Sequence, residues 1–70
     1  MEREAVISQA IKSVGYLAGT LEIEFVHGQV YRYFLVPRGL FVELMQAESK
    51  GAFFNERIRD RFPTEGPLRG

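Results

Sequence analysis

From about Ile11 the chain alternates apolar and polar positions with a period of two. Val14 and Tyr16 fall on one face, and Leu21, Ile23 and Phe25 fall on one face of the run Leu21 to Val26. Two strands joined through Ala18-Gly19 are predicted. Pairing Leu17 with Thr20 sets Tyr16 opposite Leu21 and Val14 opposite Ile23, so both apolar stripes share one side of a sheet. A third strand follows in Gln29 to Leu35, and the turn at His27-Gly28 decides which of its residues face the core.

A two-residue turn pairs Val26 with Gln29 and drives Arg32 against Ile23 on the apolar face, burying a guanidinium without a partner at a cost of several kcal/mol. A three-residue turn, Val26-His27-Gly28 with Gly28 left-handed, pairs Phe25 with Gln29, Ile23 with Tyr31 and Leu21 with Tyr33. Arg32 then sits opposite Glu22 as a solvent-facing cross-strand charge pair, and both tyrosine rings turn inward. The longer turn is the better reading.

Past Val36 the period changes. Pro37 suits the first position of a helix, where its missing N–H would have no partner, and Leu40, Phe41, Leu44 and Met45 form the stripe of a helix lying on a sheet. Ser49 reads as the N-cap of a second helix, Lys50 to about Arg61, with Phe53, Phe54 and Ile58 facing inward and Phe62-Pro63 ending it. Asn55, a polar residue assigned to the apolar side of that helix, is expected to hydrogen-bond a neighbouring loop. The fold expected is α+β: a three-stranded antiparallel β-meander with two α-helices packed on one face. It occupies residues 10–63. Residues 1–9 read as a flexible segment, and residues 64–70, with Gly66, Pro67 and Gly70, read as an extended flexible tail unless Leu68 docks.

Composition narrows the chemistry. At 70 residues there is room for one small domain, and with no cysteine there are no disulfides, thiolate metal sites or thiol nucleophiles. Nine basic and nine acidic residues cancel, so any pull toward nucleic acid must come from local clustering. No signal peptide or membrane span is read from the apolar runs, and a cytoplasmic location with no membrane partner is expected. The string Leu35-Val36-Pro37-Arg38-Gly39 looks like a thrombin site, but it lies inside the domain and is read as native.

The blocks Ile11-Lys12-Ser13-Val14-Gly15-Tyr16, Leu21-Glu22-Ile23-Glu24-Phe25, Tyr31-Arg32-Tyr33-Phe34, Val36-Pro37 and Ser49-Lys50-Gly51-x-x-Phe54-Asn55-x-x-Ile58-Arg59 together resemble the KTSC family. That short domain stands at the C-terminus of some lysyl-tRNA synthetases and also occurs as free-standing small bacterial proteins. The resemblance spans about Ser8 to Phe62, and the family's Tyr-x-Tyr stands here as Tyr31 and Tyr33. It implies the same fold, brings no catalytic residues, and through the synthetase context points toward RNA.

Two binding readings follow. The segment from Ser49 onward, Arg69 included, carries a local charge of +2 against −2 for residues 1–48. RNA or single-stranded nucleic acid is therefore the first expected ligand, with Arg32, Lys50, Arg57, Arg59 and Arg61 as phosphate contacts and Arg57 and Arg61 on one helical face. A plainer account pairs Glu56 with Arg59 or Asp60 with Arg57 on a solvated helix surface. Tyr31 and Tyr33, turned inward, read as core residues and not as a stacking platform. The second reading is a protein partner or homodimer, seated on a free sheet edge or on the outer face beside Val30 and Phe34. No enzyme, cofactor or metal site is expected. His27 is the only histidine and lies in a turn, a capping Ser49 has its oxygen occupied, and Glu22 and Glu24 lack an acid–base partner.

Overall fold

The computed structural model describes residues 1–68; Arg69 and Gly70 lie outside the described residues. Five strands and two helices follow one another as β1 (Glu4–Ala5), β2 (Ile11–Leu17), β3 (Thr20–Phe25), β4 (Val30–Tyr33), α1 (Arg38–Gln46), α2 (Lys50–Arg57) and β5 (Thr64–Leu68). The strands form a single antiparallel sheet in the order β1-β2-β3-β4-β5.

The inner three strands pair as the alternation requires. Tyr16 lies opposite Leu21 and Val14 opposite Ile23 across the first hairpin, whose turn places Ala18 and Gly19 at φ 49° and 85°. In the second hairpin Leu21 faces Tyr33, Glu22 faces Arg32 and Ile23 faces Tyr31. The turn takes its longer form: the Phe25 N–H donates to the Gln29 carbonyl at 2.9 Å, the Gly28 N–H to the Phe25 carbonyl at 2.9 Å, and Gly28 has φ 99°. A bulge between Ile11 and Ser13 brings Ile11, opposite Phe25, onto the same face as Val14. That face carries the core, in which Ile11, Val14, Leu21, Ile23 and Tyr33 pack with Val36, Leu44, Phe54 and Ile58.

The sheet has five strands, not three. The two outer strands come from the segments assigned to flexible ends. Glu4 and Ala5 pair with Val14 and Ser13, and the Val6 N–H donates to the Lys12 carbonyl at 3.1 Å. At the opposite edge Thr64 pairs with Tyr33, Glu65 with Arg32 and Leu68 with Val30, so Leu68 docks. Gly66 and Pro67 read as strand breakers, yet an edge strand needs ladder bonds on one side alone and accommodates both. Gly66 is needed there, since a Cβ would lie 2.6 Å from the Tyr31 ring.

Both helices differ from expectation at one end. Pro37 is the N-cap of α1, not its first residue, and its carbonyl accepts from the Leu40 and Phe41 N–H groups at 3.0 and 3.4 Å. Ser49 caps α2 as expected, its Oγ accepting from the Ala52 N–H at 3.3 Å. The helix stops at Arg57, short of Arg61. The N–H groups of Ile58 and Arg59 both close on the Phe54 carbonyl, at 3.0 and 2.8 Å, and Asp60 turns to φ 60°, which buries Ile58 and carries the chain away to β5.

Candidate functional site

The arginines after position 56 sit at the C-terminal end of α2 and in the turn that follows, so Arg57 and Arg61 are not on one helical face. Arg57 lies over the Phe53 ring at 5.3 Å and reaches Glu43 at 3.7 Å. Arg59 approaches Asp60 at 3.9 Å, and the Arg61 Nε donates to the Glu56 carbonyl at 3.0 Å. The expected pairs Glu56–Arg59 and Asp60–Arg57 do not form; all three arginines keep exposed side chains. Lys50 stands apart at the start of α2, roughly 10 Å up the helix axis, and donates to the Ala47 carbonyl at 3.0 Å. Asn55 is exposed and lines a second depression with Ser8, Ser49 and Lys50, so it does not occupy the apolar side of α2.

Arg32 belongs to a different surface. On the outer face of the sheet Glu22 is 2% exposed, because the chain before β1 lies across it. Arg3 Nη1 donates to Glu22 Oε2, Arg3 Nε donates to Ser13 Oγ at 3.0 Å, and Arg32 Nε donates to Glu22 Oε1 at 2.8 Å. Ser13 in turn donates to Glu24 at 2.8 Å. The expected cross-strand pair of Glu22 and Arg32 forms, with the Arg32 side chain 39% exposed and the Glu22 carboxylate buried between Arg32 and Arg3. Burial pushes the Glu22 carboxyl up, but the hydrogen bonds and charges of Arg32 and Arg3 outweigh it and hold the group below its ordinary value. Arg3 and Ser13 were missed in the sequence; the signal was two carboxylates facing one guanidinium on this surface, which calls for a further cation.

A cleft of about 380 Å³ opens beside the arginine turn, between the β3–β4 turn and the residues leaving α2. Its walls are aromatic. Phe25 stands edge-on to Tyr31 and to Phe54, with centroids 5.8 and 5.3 Å apart, and Tyr33 stands edge-on to Phe54 at 5.4 Å. His27 lies parallel to Phe25 at 5.7 Å. Arg59, Asp60, Gln29 and Thr64 bring polar groups to the rim. Tyr33 is 5% exposed; its hydroxyl makes no hydrogen bond to a described residue and is not among the buried groups, so it meets water where Tyr33 borders the cleft. Burial, with Tyr31 and Asp60 nearby, pushes that phenol up to about 12, so it is a neutral donor at physiological pH. The two tyrosines face the helix side as the register requires, but they border a cleft as well as the core.

The arrangement is that of a small α+β meander domain carrying exposed arginines next to an aromatic recess. The chain belongs to the KTSC family: the KTSC domain model matches residues 7–62. It is 40% identical over 58 residues to an uncharacterised protein of Stutzerimonas stutzeri, covering 80% of this chain and 82% of that protein. It is 48% identical over 46 residues to a lysine–tRNA ligase of Nostoc punctiforme, covering 66% of this chain but 8% of the ligase. A crystal structure of a KTSC domain protein from Yersinia pestis superposes with a TM-score of 0.85 at 37% identity, covering 91% of this chain and 93% of that one.

Proposed function

We propose that this domain is a non-catalytic binder of single-stranded RNA, gripping backbone phosphates with the arginines that close α2. The carrying observation is the exposure of Arg57, Arg59 and Arg61 within five consecutive residues, the middle one at the rim of an aromatic cleft. Such a pairing of cations with π-faces is how sequence-tolerant single-strand binders work. The match to a segment of a lysine–tRNA ligase lends the reading support. Arg32, engaged by Glu22 on the outer face, and Lys50, at the far end of α2, fall outside this grip.

The alternative is a protein partner or homodimer seated on a sheet edge or on the outer face beside Val30 and Phe34, a face that the Arg3 side chain shares where it meets Ser13 and Glu22. An amide chemical-shift titration with short mixed-sequence RNA at two salt concentrations tests the proposal. Shifts should centre on Arg57 to Arg61 and shrink as salt rises, and each Arg→Ala change there should lower the salt slope by about one. Absence of any perturbation at low salt defeats the RNA reading, and a doubled mass in light scattering would favour the homodimer.

A further inference from the structure

We propose that the cleft between the β3–β4 turn and the turn after α2 is a nucleobase pocket, holding one unpaired base against its aromatic walls while Arg59 meets the attached phosphate. This deepens the RNA reading and rests on the same surface. The argument begins with Tyr33. Tyr33 is 5% exposed, and its hydroxyl, hydrogen-bonded to no described residue, reaches water where the residue borders a recess of about 380 Å³. A hydroxyl served only by water inside a cleft can exchange that water for a ligand acceptor.

The walls narrow the ligand to a class. The half-buried Phe25 and Tyr31 and the buried Phe54 line the cleft, edge-on to one another at 5.8 and 5.3 Å, and an aromatic lining of this kind favours a flat aromatic guest. An aliphatic side chain would fill the same space but offer nothing to the Tyr33 hydroxyl or to the exposed Arg59–Asp60 pair at the rim. A heterocycle with donors and acceptors along its edge can meet both the hydroxyl and the Asp60 carboxylate. Asp60 has a role here that a pure anion site would forbid: beside Arg59 it repels a phosphate placed deep in the cleft, yet accepts from a ring N–H or exocyclic amine. The phosphate is thereby kept at the rim, where Arg59 lies and where Arg57 and Arg61 continue the cationic surface. A volume near the low end of ordinary ligand clefts, roughly 300–1,000 Å³, suits one base and not an extended chain. A free mononucleotide and a nucleotide within a strand share this chemistry.

The full chain is titrated, following backbone amide shifts, with each of the four nucleoside 5′-monophosphates, with ribose 5-phosphate, and with a short single-stranded RNA. At least one monophosphate should move the amides of Phe25, Tyr31, Tyr33, Arg59 and Thr64, while ribose 5-phosphate leaves Phe25 and Tyr31 in place. Tyr33→Phe should keep the parent Tm and weaken binding by roughly three- to tenfold, the worth of one hydrogen bond. Arg59→Gln should weaken the monophosphate more than the matching nucleoside. Equal shifts from ribose 5-phosphate, unchanged affinity in Tyr33→Phe, or no cleft shift with any base overturn the pocket. RNA that perturbs Arg57 and Arg61 with the cleft unmoved would overturn the pocket and leave the phosphate grip standing. Monophosphates that fill the cleft without any RNA binding would uphold the pocket and remove the RNA reading.

Discussion

Arg3 and Glu22 meet on the outer face of the sheet, the guanidinium Nη1 of one donating to the carboxylate Oε2 of the other, and this contact ties the chain before β1 to the central strand. Glu22 is 2% exposed, so its charge depends on protein donors more than on water. Arg3→Ala removes one donor and leaves Arg32 as the remaining partner. The expected loss is about 1–2 kcal/mol, a fall in Tm of roughly 4–16 °C for a domain of this size. Thermal unfolding followed by circular dichroism measures it, and an unchanged Tm would show that the contact contributes nothing.

Gly15 makes that contact possible. A Cβ at this position would stand 2.4 Å from the Glu2 carbonyl oxygen, so the backbone before β1 would have to lift. Gly15→Ala should therefore detach the same segment that Arg3 anchors, and the losses from Gly15→Ala and Arg3→Ala should be clearly less than additive in the double variant. Faster amide exchange at Val6, whose N–H bonds the Lys12 carbonyl, would report the detachment directly. Strict additivity would show that the two residues act separately.

The same carboxylate sets an acid limit. Glu22 is held below its ordinary value of 4.5 in the folded chain. A depressed carboxyl contributes stability that is complete above the unfolded value and is lost as pH falls through the folded one. The parent should thus lose its advantage over Glu22→Gln as pH drops below 4.5, the two Tm curves converging toward acid. Curves that stay parallel from neutral to acid pH would remove Glu22 as the cause.

The inner meander was legible in the sequence because it follows from local pattern and one burial argument: a two-residue turn would have put Arg32 under the helices, so Gly28 had to take the longer form. The two edge strands were not legible. Glu4–Ala5 is too short to show a period, and Thr64–Leu68 carries Gly66 and Pro67, which mark a strand as broken unless it is known to lie at an edge. The end of α2 was misplaced because Ile58 continues the apolar spacing although its backbone has already left the helix. The cleft stayed hidden for a related reason. Inward-facing tyrosines read as core, and only the positions of Phe54, Asp60 and Thr64 show that Tyr33 has a recess in front of its hydroxyl.

Gly28 separates two ways a glycine can be required. At φ 99° it adopts a conformation unfavourable to any residue with a Cβ, yet a Cβ there would meet nothing within 4 Å. The penalty is therefore conformational and local, unlike the collision at Gly15. Gly28→Ala should cost about 1–2 kcal/mol with the hairpin register intact, and Gly28→Val should cost more, because a β-branched side chain tolerates positive φ least. Cross-strand amide contacts between Glu22 and Arg32 would check the register. A shifted register in Gly28→Ala would mean that the turn governs the pairing by itself, without help from the inward stripe of Leu21, Ile23, Tyr31 and Tyr33.

Tyr33 sets the alkaline limit and offers an independent view of the cleft. Its phenol lies near 12 in the folded chain against an ordinary value of 10.0, with burial the largest cause. A group whose folded value is raised keeps its full contribution below the unfolded value and loses it as pH rises toward the folded one. Stability should therefore decline between 10.0 and about 12 as the unfolded phenol ionises and the folded one resists. Ultraviolet titration at the tyrosinate band should show a late step near 12, and Tyr33→Phe should abolish it. The absence of any late step would mean that burial does not hold the Tyr33 phenol neutral, and the cleft would then be an open surface with nothing to favour a base over water.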